Sequence, residues 1–161
     1  MDADVIESRS LTFSGAHRVL LASIAHAQAI GQPMCISVVD AGGNLLAFAR
    51  MDGSKALSIH SSAAKAVTAA MSATPTGGAH ADVELQIAMA SDLKWTNLIG
   101  GLPIRVDGFV IGAVAAGSGT GTQDLAVARA GAAALPGADM FDSFVPMGVE
   151  DTGIIRGQAI G

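Results

Sequence analysis

Apolar positions in the first part of the chain recur at helical spacing. Leu20, Leu21, Ile24 and Ala27 fall three and four residues apart and predict a helix from about Thr12 to Ile30, with Ser14 as its N-cap. Gly31 and Pro33 stop it. The pattern then shortens to two runs, Met34–Asp40 and Leu45–Met51, separated by Ala41-Gly-Gly-Asn44. This reads as a β-hairpin closed by Asp52-Gly53. Helical spacing returns from Lys55 to Ser72. There Leu57, Ala63, Ala64, Val67, Ala70 and Met71 form an apolar face, expected to be the packed one. Ser58, Ser61, Ser62, Lys65, Thr68 and Ser72 form a polar face, expected to be solvated.

After the loop Thr74–Gly78, a weaker helix spans Asp82 to about Trp95. Gly100–Val106 and Phe109–Ala116 flank Asp107-Gly108, the strongest short-range hairpin signal in the chain. The loop Gly117–Thr122 leads to a last helix, Asp124–Leu135, ended by Pro136-Gly137. The order helix, hairpin, helix, helix, hairpin, helix predicts an α+β fold, an antiparallel sheet built from two hairpins and flanked by helices. No repeat or linker divides the sequence, so residues 1–137 are expected to be one domain. Residues 138–161 lack sustained periodicity and are expected to form an extended arm packed on a neighbouring subunit.

Composition narrows the function classes. Of 161 residues, 50% are hydrophobic and 14% charged, which excludes a disordered chain. The 31 alanines and 20 glycines bury little area each, and few charges remain to cover the surface, which points to a homo-oligomer. Net charge is −5 and the three lysines are scattered, which argues against nucleic-acid binding. The longest apolar run, Phe109–Ala116, is too short to span a membrane, and the acidic first residues are unlike a secretory signal. A cytoplasmic location is the expectation. Cys35, the single cysteine, can form no internal disulfide and reads as a small buried hydrophobe.

Candidate chemistry is spread over several motifs. Arg50 and Asp52 flank Met51 and would share a face, Arg50 clamping a carboxylate and Asp52 acting as base or orienting it; the plainer reading is a salt bridge closing the turn. His60 falls on the apolar face of its helix, either as a general acid/base or ligand, or as a core histidine. Lys65, on the polar stripe, is a base or anion clamp if buried, and otherwise a solvated residue or a partner of a sheet residue such as Asp40. The Gly117–Thr122 loop lacks the parallel βαβ context of a dinucleotide site. The helix start it feeds would still favour an anionic group, with Ser118, Thr120 and Thr122 as donors. No metal-ligand spacing, nucleophile elbow or phosphate loop is present.

Several stretches occur together in order: Val38-Val-Asp-Ala-Gly-Gly-Asn-Leu45, Arg50-Met-Asp-Gly53, Lys65-Ala-Val-Thr-Ala69, Gly100-Gly-Leu-Pro-Ile104, Ile111-Gly-Ala-Val114, Gln123-Asp124 and Ala128-Arg-Ala-Gly131. From about Thr12 to Leu135 the chain resembles the GlcG/HbpS-like haem-binding family, which includes the C-terminal domain of the PduO corrinoid adenosyltransferases. The resemblance implies an antiparallel sheet flanked by helices, a homo-oligomer (octamers in some members) and binding of haem or another tetrapyrrole. His17, His26 or His60 would then be the axial ligand, and Arg50 or Lys65 would meet the propionates. The chain departs from the family pattern at Ala115-Ala-Gly-Ser118 and at Asp92–Ile99. These departures carry an alternative, a lyase, hydratase or isomerase needing no cofactor. It would act on a small carboxylate between subunits, with Arg50 and the Gly117–Thr122 loop binding the anion and Asp52, His60 or Lys65 moving the proton. A third reading is a ligand-binding accessory subunit without chemistry.

Overall fold

A computed structural model describes residues 4–147. The chain runs α1 (Phe13–Ala29), β1 (Cys35–Asp40), β2 (Leu45–Arg50), α2 (Ser58–Ser72), α3 (Ala81–Ala90), β3 (Gly101–Val106), β4 (Phe109–Gly117) and α4 (Gly121–Ala132). The four strands form one antiparallel sheet in the order β2-β1-β4-β3. The two expected hairpins are its halves, joined by β1 and β4, where Cys35 lies opposite Gly117 and Val38 opposite Val114. The fold is α+β, as the hydrophobic pattern predicts.

Local chemistry sets the element ends. Thr12, not Ser14, caps α1, its Oγ1 accepting from the Gly15 N–H at 3.0 Å. Asp40 holds the first hairpin turn, its Oδ1 accepting from the N–H groups of Gly42 at 2.8 Å and Asn44 at 2.9 Å. Asp107 and Gly108 turn the second hairpin with φ of +51° and +82°, the sign a two-residue type I′ turn requires. The last helix starts earlier than its sequence pattern suggests. Thr120 caps it in a capping box with Gln123, which leaves Asp124 inside the first turn.

The sheet is covered on both faces. Ile36, Val38, Leu102, Ile104 and Val114 point to one side and pack with Val19 and Leu20 of α1 and Val127 and Ala128 of α4. On the other side Val39, Ala113 and Ala115 meet Ala66, Ala69 and Ala70 of α2. This second contact rotates α2 from its expected orientation, although Val67 and Ala70 still pack on the sheet. Its serine-threonine stripe faces inward, with Ser58, Ser62, Lys65 and Thr68 buried, whereas Leu57 and Met71 are exposed. The cause is steric. The sheet face below is paved with alanine and glycine, and the backbones approach until only small side chains fit. Ser37 of β1 and Ser62 of α2 hydrogen-bond across the contact at 2.9 Å.

Two segments depart from expectation. α3 ends at Ala90 and does not reach Trp95, because Asp92 and Leu93 turn into the left-handed region with φ of +57° and +59°. None of its side chains is buried. The described part of the expected arm, residues 138–147, lies along the β3 edge of its own subunit. Ala138 bridges Val106, the Asp139 N–H donates to Arg105 O at 2.9 Å, and Phe141 and Phe144 pack on the core. Residues 148–161 fall outside the described residues, so the expected contact with a neighbouring subunit is not addressed there.

Candidate functional site

The carboxyl end of β4, the first turn of α4 and the middle of α2 converge on one ion pair. Lys65 and Asp124 are 4% and 3% exposed. The Lys65 Nζ donates to Asp124 Oδ2 at 2.7 Å and to the Ala116 carbonyl at 2.9 Å. The other oxygen, Asp124 Oδ1, accepts from the Gly119 N–H at 3.0 Å. Each charged group therefore has two hydrogen-bond partners, as a buried pair requires. Burial raises the Asp124 carboxyl above its ordinary value of 3.8, against the opposing pull of Lys65 and the Gly119 amide.

The main chain has to be bare beside this pair. Gly100 adopts φ +125°, and a Cβ there would stand 2.6 Å from Asp124 Cβ and 3.1 Å from Lys65 Nζ. Glycine is the one residue that fits both the backbone conformation and the space.

Above the pair opens a cleft of about 350 Å³, bordered by Lys55, Ser58, Ser61, Lys65, Ser118 and Asp124. Ser118 is buried in a left-handed conformation, φ +103°, and its Oγ accepts from the Lys55 N–H at 3.0 Å. The hydroxyls of Ser58 and Ser61 have no hydrogen-bond partner among the described residues. The ammonium of Lys55 has no carboxylate within ion-pair distance among them, yet it is near enough to act on Asp124.

The expected catalytic set is not assembled here. Lys65 lines the cleft, but its partner is Asp124, not Asp40. Arg50 is exposed at the end of edge strand β2, and Asp52 is exposed in the turn beyond it. No salt bridge joins them among the described residues. His60 is exposed, a correction that follows from the rotated setting of α2. The loop donors separate as well. Ser118 lines the cleft, Thr120 is spent on the Gln123 N–H at 3.2 Å, and Thr122 faces a different depression of about 460 Å³ shared with His26 and Arg129.

His17 is exposed on α1, its ring stacked on Phe13 at 5.9 Å. His80 is exposed at the N-cap of α3. Among the described residues no three His, Cys, Asp or Glu side chains cluster as a metal site would need. Nor is any helix among them long and apolar enough to cross a membrane. Cys35 is buried in β1 beside Ser54.

Sequence reasoning missed Asp124, Lys55, Ser58 and Ser61 as one group. The available signal was the density of glycines at Gly100, Gly101, Gly117 and Gly119, which marks close backbone approach.

Residues 11–133 match the family described as haem degrading protein HbpS-like. Protein GlcG of Escherichia coli (strain K12) is 39% identical over 100 residues, covering 62% of this chain and 75% of that protein. An uncharacterized 15.0 kDa protein of Citrobacter freundii is 36% identical over 128 residues, 74% of this chain and 88% of its own. Among solved structures, protein ORFY of Klebsiella pneumoniae superposes with a TM-score of 0.75 at 25% identity, covering 83% of this chain and 96% of that one. The PduOC:heme complex gives 0.74 at 26% identity over 81% and 98%. HbpS gives 0.70 at 30% identity over 84% and 96%. With a match that spans the sheet and every helix that packs on it, the chain belongs to the HbpS-like family.

Proposed function

We propose that this protein binds haem through His17 and does so as a homo-oligomer. The observation that carries the reading is the outward stripe of α1. Phe13 and Leu21, one turn before and after His17, are 71% and 54% exposed. A histidine between two large exposed apolar side chains suits a haem. The ring offers an axial nitrogen, and its flanks offer surface that a porphyrin face would bury. No hydrogen bond occupies the His17 ring among the described residues, so a nitrogen is available to iron. The residues present therefore fit the group. When bound, haem would supply an iron centre whose reactivity the axial ligand tunes.

In this reading His17 would hold the iron through a ring nitrogen, and Phe13 and Leu21 would shield the bound group from water. His26 and His60 have no comparable pair of flanking apolar groups. Lys65 is not assigned to the propionates, since its charge is paired with Asp124 and it also donates to the Ala116 carbonyl. The likeness to the PduOC:heme complex supports haem as the ligand.

Self-association follows from the exposed apolar side chains. Leu85 and Met89 of α3 are each 67% exposed, and with Val83 and Ile87 they leave this helix without a packed face. A second copy of the chain covers such a surface at no cost in new chemistry.

The test is a haem titration of the purified protein followed by absorbance. A saturable complex at one haem per subunit is expected in the wild type, in His26→Ala and in His60→Ala, with the sharp Soret band lost in His17→Ala. An unchanged spectrum in His17→Ala removes this histidine from the assignment. Absence of saturable binding in the wild type removes haem itself.

A further inference from the structure

The cleft beside Lys65 and Asp124 is used by nothing in the haem reading, and its chemistry is of a different kind. We propose that it is a binding site for a small organic monocarboxylate carrying at least one further hydrogen-bonding oxygen. The proposal is independent of haem, since none of His17, Phe13 and Leu21 borders the cleft.

Three observations support it. First, Ser58 is 6% exposed and borders the cleft with a hydroxyl that has no partner among the described residues. The Ser58 oxygen still reaches the solvent of the cleft, so a ligand oxygen can take the place of the water it otherwise binds. Second, α4 begins at the cleft with an unpaired donor. The N–H of Gly121, which borders the cleft, has no acceptor among the described residues, whereas those of Gln123 and Asp124 are capped by Thr120. Free amides at a helix start favour negative charge. Third, Lys55 at the rim has no carboxylate partner among the described residues.

Charge selects the ligand class. Lys65 and Asp124 cancel each other, so Lys55 leaves the cleft with a single uncompensated positive charge. A monoanion completes that balance. A dianion such as phosphate would bring a second negative charge towards the buried Asp124 carboxylate, which is a repulsive arrangement in a low-dielectric wall. The hydroxyls of Ser58 and Ser61 suit a neutral ligand oxygen, either hydroxyl or carbonyl. A space of about 350 Å³ admits a small metabolite and excludes a porphyrin lying flat within it.

Isothermal titration calorimetry of the full chain with lactate and with pyruvate tests the site, with inorganic phosphate as the comparator. Saturable binding at one per subunit is expected for at least one of the two carboxylates, with phosphate weaker. Lys55→Met, at an exposed position, should weaken binding by about tenfold or more, as the loss of a hydrogen bond to a charged group does. Ser58→Ala should also weaken binding and leave the fold intact. Absence of saturable heat with both carboxylates, phosphate binding tighter than either, or wild-type affinity in either variant would each overturn the proposal. None of these outcomes bears on the Soret titration, so the two readings fail separately.

Discussion

Lys65 Nζ and Asp124 Oδ2 lie 2.7 Å apart although 59 residues separate them in the chain. The pair ties α2 to α4 at the carboxyl end of the inner strand β4, and both residues are almost wholly buried. Such a pair stabilises little relative to a well-packed apolar substitute, but losing one partner leaves a bare charge inside. Lys65→Met and Asp124→Leu should each cost about 3–5 kcal/mol. The double variant should recover most of that loss. Urea denaturation of the three variants gives the comparison, and additive losses in the double variant would show that the two charges do not depend on each other.

Two carboxylates give the stability opposite dependences on pH. Asp124 is raised by burial above 3.8, so the folded chain holds this proton more tightly than the unfolded chain does. Its contribution is complete below 3.8 and is lost as pH rises through the folded value. Asp40 is lowered below 3.8, chiefly by the Asn44 backbone N–H that donates to it. Its contribution is present above 3.8 and is lost as pH falls through the folded value. Urea midpoints followed from neutral to acid pH should lose the first slope in Asp124→Asn and shrink the second in Asp40→Ala. A wild-type profile in Asp124→Asn would show that this carboxyl is not shifted upward.

Gly100, at φ +125°, should tolerate alanine worse than a positive-φ glycine on open surface. At Gly31, φ is +67° and nothing lies within 4 Å of an added Cβ, so alanine there meets only the backbone penalty, about 1–2 kcal/mol. At Gly100 the same atom would meet Asp124 at 2.6 Å and Lys65 Nζ at 3.1 Å, and the ion pair must shift. Thermal midpoints should rank wild type above Gly31→Ala and Gly31→Ala above Gly100→Ala. Equal losses at the two sites would mean that the pair yields freely.

The exposed face of α3 sets a prediction about mass. Leu85→Glu and Met89→Glu place like charges where a second copy would pack. Light scattering should give a multiple of 16.0 kDa for the wild type and a smaller assembly for the double variant. A wild-type mass of 16.0 kDa would remove self-association from the functional reading.

Both hairpins were legible because their turns have their own chemistry. Asp107-Gly108 supplies two residues that accept positive φ, and Asp40 and Asn44 clasp the other turn. The helices were legible in period but not in facing. α2 illustrates the reason. Hydrophobic patterning assumes that the more apolar stripe is buried, yet Ser62 and Ala66 are inside while Leu57 is exposed, because the distance between helix and sheet decides which side chains fit. That distance is set by glycines and alanines on strands distant in sequence. The candidate site failed on the same ground. Lys65 and Ser118 could be singled out locally, but pairing Lys65 with Asp124 needs the β1–β4 register that brings α2 over the end of β4. His17 stood out only as a residue type; its apolar neighbours became meaningful once α1 was seen to expose them.

A helix of ten residues is marginal in water by itself, and α3 places no side chain in the core of its subunit. If a second copy covers its apolar side chains, as proposed above, dilution would move its helix–coil equilibrium as denaturant does. Protein concentration would then act as a folding variable for Ala81–Ala90, and the amides of this segment would gauge how much of the protein is assembled.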